Sequence, residues 1–447
     1  ADSATAQALL RGSVDSIERS FAKDASTARL ILATLGEMHI YLDDFVTAET
    51  LLRRFIEQED GSSPLELRGQ VDSDLALAEL RQGRIDAACE RIEHAIALLR
   101  ASPSTQGSRV ADAMSVRAQC LRHKGDMVAS LDTYREVLAL QKAATGPRSR
   151  QAAAALSNLA TALMQSGARE DAKRGFEEVL AIYREQDLLH LAAAATTLSN
   201  LAALNLVEGN LDPAQAYFDQ AITALQRTQG ESAALAAALN NAAKLKLLRG
   251  ELDAAEALLS RALPMQQAHV GAESPDVAFS VLTRADVALA RGDPRAALTG
   301  IDTAEQILRL RFGDQHFLRA RAQFARAHAL SLAGRASEAS QQFEAALTIS
   351  RQASGGMAEE LRAQGACQGL IHALRHRLAT PAAWLGDCRL RLSQRSADHY
   401  EAVETRIVMA LVSGGAATEQ DADMRQFRDQ LGAQSPRVLA LQALPSR

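Results

Sequence analysis

Gly83, Gly125, Gly167, Gly209, Gly250, Gly292 and Gly334 follow one another at intervals of 42, 42, 42, 41, 42 and 42 residues. Spacing this regular means one structural unit copied along the chain, so that each copy packs on its neighbours instead of sharing a single core. Every one of these glycines interrupts an Ala- and Leu-rich segment with helical apolar spacing. Five residues later stands a small residue: Ala88, Ser130, Ala172, Ala214, Ala255, Ala297 or Ala339. The spacing predicts helix, tight turn, helix. With 47% hydrophobic but only 4% aromatic residues, the composition suits close-packed Ala- and Leu-based helices and argues against strands. The 447 residues therefore count repeats, not domains.

Charge narrows the partners. Lys and Arg total 49 against 54 Asp and Glu, which leaves no basic surplus for a phosphate backbone, so nucleic acid is not expected as a partner. No window approaches the ~18 to 20 apolar residues of a membrane span, and no basic-then-apolar leader opens the chain. Direct membrane insertion is not expected. The first residue is Ala1, which reads as a processed chain or a piece of something longer. The cysteines, Cys89, Cys120, Cys367 and Cys388, are too few for a disulfide scaffold and lack metal-type spacing. In the repeat frame Cys89 and Cys120 fall on neighbouring helices, and Cys367 and Cys388 on the two arms of one hairpin. Each pair either stays as small buried thiols or closes in an oxidising compartment.

Within the repeat, the first helix carries Leu156 and Leu159, then Leu198 and Leu201. The second carries a bulky residue followed by a smaller one: Tyr134 with Val137, Phe176 with Val179, Phe218 with Ala221, Leu259 with Ala262, Phe343 with Ala346. This pattern resembles the tetratricopeptide repeat. Leu35, Gly36 and Ala48 add an earlier copy, with Asp43 in place of its turn glycine. The expected organisation is a lead-in helix over 1–27, eight repeats over 28–351 and a helical cap over 352–447. The resemblance implies an all-α solenoid, a right-handed superhelix of hairpins. A 42-residue period exceeds the common one of about 34 by two helical turns, ~12 Å per hairpin. A second glycine series, Gly146, Gly230, Gly271, Gly313 and Gly355, marks the turn between hairpins. The phrases Gly271 to Ala278 and Gly313 to Leu318 resemble the inter-repeat turn of kinesin light chain repeats. In the cap, a long helix is expected over 358–378, Pro381 in the first turn of its partner, a helix over 400–412, a loop over 413–420 and a weakly docked helix over 421–431.

Nothing here predicts catalysis, a cofactor or a metal. There is no phosphate-binding loop, zinc-protease pair, nucleophile elbow or kinase set. His372 and His376, flanked by Arg375 and Arg377, read as a solvated basic face, and Trp384 as core. The informative set lies two residues before the Leu or Ala pair on successive first helices: Ser73, Ser115, Ser157, Ser199 and Asn240, followed by Asn158, Asn200 and Asn241. By the resemblance, first helices line a concave wall, so these groups face a groove. An amide offers donor and acceptor together to an extended peptide's backbone, as asparagine ladders do in kinesin light chain-like relatives. The bland reading is that small residues permit close stacking and that Asn here bonds the neighbouring repeat. One turn further along come Gln119, Thr161, Lys244, Asp286 and His328, whose mixed signs argue against a simple acidic or basic cradle. Phe279 and Phe324 also fall on groove-facing registers and suit either an apolar anchor for a bound peptide or a plug in a superhelix closing on itself.

The opening residues carry a more specific likeness. The stretches Thr5 to Leu10, Val14 to Phe21, Ala28 to Ile40 and Ala48 to Arg54 resemble the segment after the membrane helix in bacterial transmembrane serine/threonine protein kinases that end in tetratricopeptide repeats. That resemblance implies a sensory ectodomain outside the inner membrane, in the periplasm, binding a protein or peptide and open to homodimerisation. None of the kinase's own residues is present. The alternative is a cytoplasmic scaffold or a module of a transcription regulator.

Overall fold

The computed structural model describes residues 24–42, 44–103, 107–314, 316, 318–353, 356–415 and 421–444. Among them the chain is helical throughout, with no strand. The first sixteen helices pair into eight hairpins. In chain order they are α1 (Ala25–Tyr41), α2 (Phe45–Gln58), α3 (Leu65–Arg81), α4 (Ile85–Ala101), α5 (Gly107–His123), α6 (Met127–Thr145), α7 (Arg150–Ser166) and α8 (Arg169–Glu185). There follow α9 (Ala192–Val207), α10 (Leu211–Thr228), α11 (Ala233–Leu248), α12 (Leu252–Val270), α13 (Pro275–Ala290), α14 (Pro294–Phe312), α15 (Leu318–Leu332) and α16 (Ala336–Gln352). The expected lead-in helix falls almost wholly outside the described residues, as do Asp43 and Gly355.

The periodic glycines do the work their spacing suggests. All seven have φ between +77° and +93°, a conformation that costs a residue with a Cβ about 1–2 kcal/mol. In each turn the N–H of the next residue reaches back to the carbonyl four residues before the glycine. The distances are alike: 2.9 Å for Arg84 to Glu79, Asp126 to Leu121, Ala168 to Leu163, Glu251 to Lys246, Asp293 to Ala288 and Arg335 to Leu330, and 2.8 Å for Asn210 to Asn205. This is the Schellman closure, which satisfies carbonyls the ending helix would otherwise orphan. Members of the second series, Gly146, Gly230, Gly271 and Gly313, also have positive φ.

The small residue five places on sits where the two helices of a hairpin cross. Ala88, Ala172, Ala214, Ala255, Ala297 and Ala339 are fully buried, and Ser130 matches them by donating its hydroxyl to the Ala118 carbonyl at 2.7 Å. A larger side chain there would push the helices apart. Phe176, Phe218 and Phe343 fill the wedge between hairpins and are equally buried.

Five further helices follow: α17 (Gly356–Arg375), α18 (Ala382–Gln394), α19 (Tyr400–Val412), α20 (Ala422–Leu431) and α21 (Pro436–Gln442). Cys367 and Cys388 are bonded, with Cα atoms 4.8 Å apart, tying α17 to α18. Trp384 is buried as expected, its indole N–H donating to Glu344 at 2.6 Å. Two expectations need correction. The helix ending at Leu431 does not dock weakly, because Phe427 and Leu431 are buried, and the unforeseen α21 adds Val438 and Leu441 to the same layer. Nor are His372 and His376 a solvated face. His372 is buried, with Nδ1 2.8 Å from Ser331 Oγ and Nε2 2.9 Å from Ser340 Oγ, while His376 Nε2 meets the Ser331 carbonyl at 3.0 Å.

The helices group into two bodies. The first runs up to Leu204 and includes Ala216–Ala238 and Pro264–Asp276; the second has Asn205–Gln215, Leu239–Leu263 and Val277 onward. Each is held by contacts distant in sequence. In the first body Ser274 Oγ donates to the Arg81 carbonyl at 3.1 Å, so the α12–α13 turn rests on the α3–α4 turn. In the second, an ionic knot closes the cap: Arg391 binds Glu401 at 2.7 Å and Glu404 at 2.8 Å, Arg395 binds Glu401 at 2.8 Å, and Arg437 binds Glu404. These arginines hold both carboxyls below the ordinary range despite their burial.

Candidate functional site: the first-helix walls

In the first body, α1, α3, α5 and α7 touch one another in sequence, which makes a continuous wall of first helices. The wall sorts the serines into two kinds. Ser73 and Ser199 are buried between helices, whereas Ser115 and Ser157 are half-buried. Ser115 Oγ is turned back on its own helix, donating to the Ala111 carbonyl at 3.0 Å, and Gln119 Nε2 reaches the Ser115 carbonyl at 3.5 Å. Thr161 does the same toward Ser157 at 2.9 Å, then accepts from Asn200 Nδ2 at 3.3 Å. That last bond links first helices 39 residues apart, so Asn200 does hold neighbouring repeats together. Asn158 is exposed.

The amino-terminal half of this wall has a character that sequence reading missed. Asp74 accepts from Gln70 Nε2 at 3.1 Å, and Gln70 in turn accepts from Arg109 at 2.9 Å. Burial pushes the Asp74 carboxyl up to about 7, and the nearby acids Glu37 and Asp112 push the same way. Tyr41 is largely exposed, and partial desolvation of its hydroxyl, then Glu37, Asp74 and Asp112, raises it. These acids lie on α1, α3 and α5 at different repeat registers, so no single periodic column reveals them.

The wall of the second body is read from α11, α13 and α15. Asn240 is 7% exposed, and its Oδ1 meets no donor among the described residues. Asn241 is half-buried and accepts from the exposed Lys244 Nζ at 3.0 Å. Asp286 is engaged by Arg321 of the next first helix. His328 is half-buried, and burial together with Arg375 depresses it to about 4, so it is neutral at pH 7. Phe279 is half-buried. Phe324 is closed to a ligand: it is 2% exposed, facing Phe343 at 6.4 Å and pressed against Gly365, where a Cβ would lie 2.3 Å from its ring. The register that suggested an anchor instead places this ring inward, because α17 has a glycine that lets the helices close over it.

No group of three or more His, Cys, Asp or Glu among the described residues is arranged to hold a metal ion. No described helix is long and apolar enough to cross a membrane. A notch elsewhere, between Asp302, Arg326, Arg335 and Glu338, is lined by charges already paired with one another. The arrangement offers amide, hydroxyl and carboxyl groups on packed helices: surface for recognition.

The tetratricopeptide-repeat family model matches residues 67–143, 109–185 and 193–268. No curated protein matches the chain. Among solved structures, BtubC (BKLC) from P. vanneervenii is 26% identical over 52% of this chain and 93% of its own, with a TM-score of 0.39. A Podosopora anserina chain of nearly identical, kinesin-light-chain-type TPR-like repeats is 19% identical over 46% of this chain and 96% of its own, at 0.36. The apo form of the quorum sensor NprR from B. thuringiensis is 12% identical over 85% of this chain and 99% of its own, with a TM-score of 0.50, a likeness of fold alone.

Proposed function

From the premise that this chain is a solenoid of tetratricopeptide repeats, we propose that it is a non-catalytic recognition module which captures an extended peptide segment of a partner protein along its first helices. The observation that carries this reading is the run of amides and hydroxyls on consecutive first helices of the first body, Ser157, Asn158, Thr161 and Asn200, with the Asn158 amide open to solvent. A peptide backbone needs alternating donors and acceptors, and an amide supplies both from one side chain. In the second body Asn241 and Lys244 offer the same chemistry. The test is to select binders from a displayed peptide library and then replace Ser157, Asn158, Asn200 and Asn241 with Ala together. Loss of at least tenfold in affinity is expected; unchanged affinity for every selected peptide would remove the groove from the account.

The finer reading is a sensory ectodomain of a bacterial transmembrane serine/threonine kinase, lying in the periplasm, where capture alters curvature or self-association and so the distance between kinase domains. Two features support it. The segments that resemble such ectodomains, 28–40 and 48–54, lie on α1 and α2, and the Cys367–Cys388 bond is of a kind that persists in oxidising compartments. Reading the gene upstream of Ala1 tests it directly. A membrane span preceded by kinase motifs is the expected result, whereas a transcription-regulator domain there would favour the cytoplasmic alternative.

A further inference from the structure

Cys89 on α4 and Cys120 on α5 are both buried and both reduced, at 8% and 3% exposure. Their helices pack together across the boundary between two hairpins, and the two thiols lie close enough to interact directly. The repeat itself shows how unusual this placement is. One period later the same two positions hold Leu131 and Ala162, which belong to one apolar cluster with Ala118, Tyr134 and Leu159. An ordinary large–small apolar pair has thus been exchanged, at this boundary alone among those described, for two thiols in contact.

We propose that Cys89 and Cys120 form a reversible dithiol site that an organic disulfide oxidises, cross-linking the α3–α4 hairpin to the α5–α6 hairpin. Exposure assigns the roles. Cys89, 8% exposed against 3% for Cys120, is the thiol an oxidant reaches first, and the contact with Cys120 and the exposed Lys124 favour its thiolate while burial opposes it; Cys120 is raised. Asp86 and Glu93, on the same helix as Cys89, oppose the effect of Lys124. Cys89 therefore attacks first. Its thiolate forms a bond to one sulfur of the oxidant and breaks the oxidant's S–S bond, expelling one thiolate. Cys120 then loses its proton and attacks the Cys89 sulfur, forming the internal disulfide and expelling the second thiolate. Two electrons pass from the protein to the oxidant, and the two protons end on the released thiols. Because α3 and α5 carry Asp74, Ser73 and Ser115, the cross-link fixes the spacing of two neighbouring slats of the recognition wall.

The test uses the full chain and glutathione disulfide as the oxidant, with thiols counted by alkylation after denaturation and by intact mass. Expected is the loss of both alkylatable thiols with a mass decrease of two hydrogens, a peptide bridging residues 89 and 120, and reversal by dithiothreitol. In Cys120→Ala the reaction is expected to halt as a stable glutathione adduct on Cys89, while Cys89→Ala leaves Cys120 unmodified. Two free thiols persisting in the wild-type chain at every oxidant concentration would overturn the proposal. So would an adduct forming first on Cys120, and so would a bridge from either thiol to Cys367 or Cys388. All three readouts use unfolded samples or the wild-type protein, so they hold even where an alanine variant is less stable.

Discussion

His399 Nε2 lies 2.9 Å from the carbonyl oxygen of Val207, 192 residues earlier, while its Nδ1 accepts the Glu401 backbone N–H at 3.1 Å. A carbonyl only accepts, so the proton sits on Nε2 and the ring is neutral, capping α19 with one nitrogen and latching the α9–α10 turn with the other. Protonating Nδ1 would set a donor against the Glu401 N–H. That conflict accords with a ring depressed to about 4, chiefly by burial.

Replacing His399 with Ala removes both bonds and leaves a buried carbonyl and a helix N-terminus without partners, at a cost of about 1–3 kcal/mol. Chemical denaturation should show that loss. Hydrogen exchange should place it at α19 and at the turn around Gly209, whose Cβ, if added, would lie 3.2 Å from the His399 ring. Unchanged protection at the Gly209 turn would mean that the latch contributes nothing.

Acidification should act oppositely on the two bodies. In the second, His328, His372 and His399 are all lowered from 6.5 to about 4, mainly by burial. Above pH 6.5 both folded and unfolded forms are neutral. Between 6.5 and 4 only the unfolded chain takes up protons, so stability falls as the pH drops through that window, by about 1.4 kcal/mol per pH unit for each of the buried pair His372 and His399 and by less for half-exposed His328. In the first body Asp74 is raised from 3.8 to about 7. Its contribution is fully present below 3.8 and is lost as the pH rises through 7. A series of hydrogen-exchange measurements from pH 7 to 5, corrected for intrinsic rates, should show α17–α19 losing protection before α3–α5. The reverse order would contradict these protonation states.

Turn glycines that are interchangeable in the repeat should differ under mutation. Gly125 (φ +86°) has nothing within 4 Å of where a Cβ would stand, so Gly125→Ala should cost only the left-handed strain of about 1–2 kcal/mol. Gly250 (φ +80°) faces the Gln434 carbonyl, 2.1 Å from such a Cβ, so Gly250→Ala adds overpacking of about 1–3 kcal/mol more. Thermal melting of the two variants side by side checks the difference; equal shifts would mean that the α20–α21 loop does not seat on this turn.

Arg391 is 3% exposed and serves Glu401 and Glu404 at once. Arg391→Ala removes the arginine that Glu401 and Glu404 share, leaving Arg395 on Glu401 and Arg437 on Glu404, and should cost about 1–3 kcal/mol at pH 7. Part of the loss should return as the pH falls toward 4, when the carboxylates take up protons. A melting profile for the variant that is flat in pH would rule out the knot as the origin.

Much of the repeat was legible because it is local. A left-handed turn wants glycine, a close helix crossing wants Ala or Ser, and both requirements recur every 42 residues or so, so Gly167 and Ala172 announce themselves. The cap was less legible. Phe427 and Val438 obey no period, since terminal helices cover a face that has no next copy, and their docking depends on partners far away in the chain. The candidate wall was legible as a register but not as a surface. Phe324 and Phe279 both lie on first helices, three residues apart in the repeat, and only Phe324 is packed inward, against Gly365 of α17, while Phe279 stays half-exposed.

By itself, then, the sequence determined the unit: which residues turn, which cross closely, and how often, all set by backbone conformation and side-chain size within one period. Tertiary structure decided the rest. Which turn meets another across some 190 residues, as Val207 meets His399 and Arg81 meets Ser274, and which acids gather around Asp74 depend on packing between residues far apart in the chain. Such contacts leave no mark on any one repeat, which is why no single stretch of sequence records them.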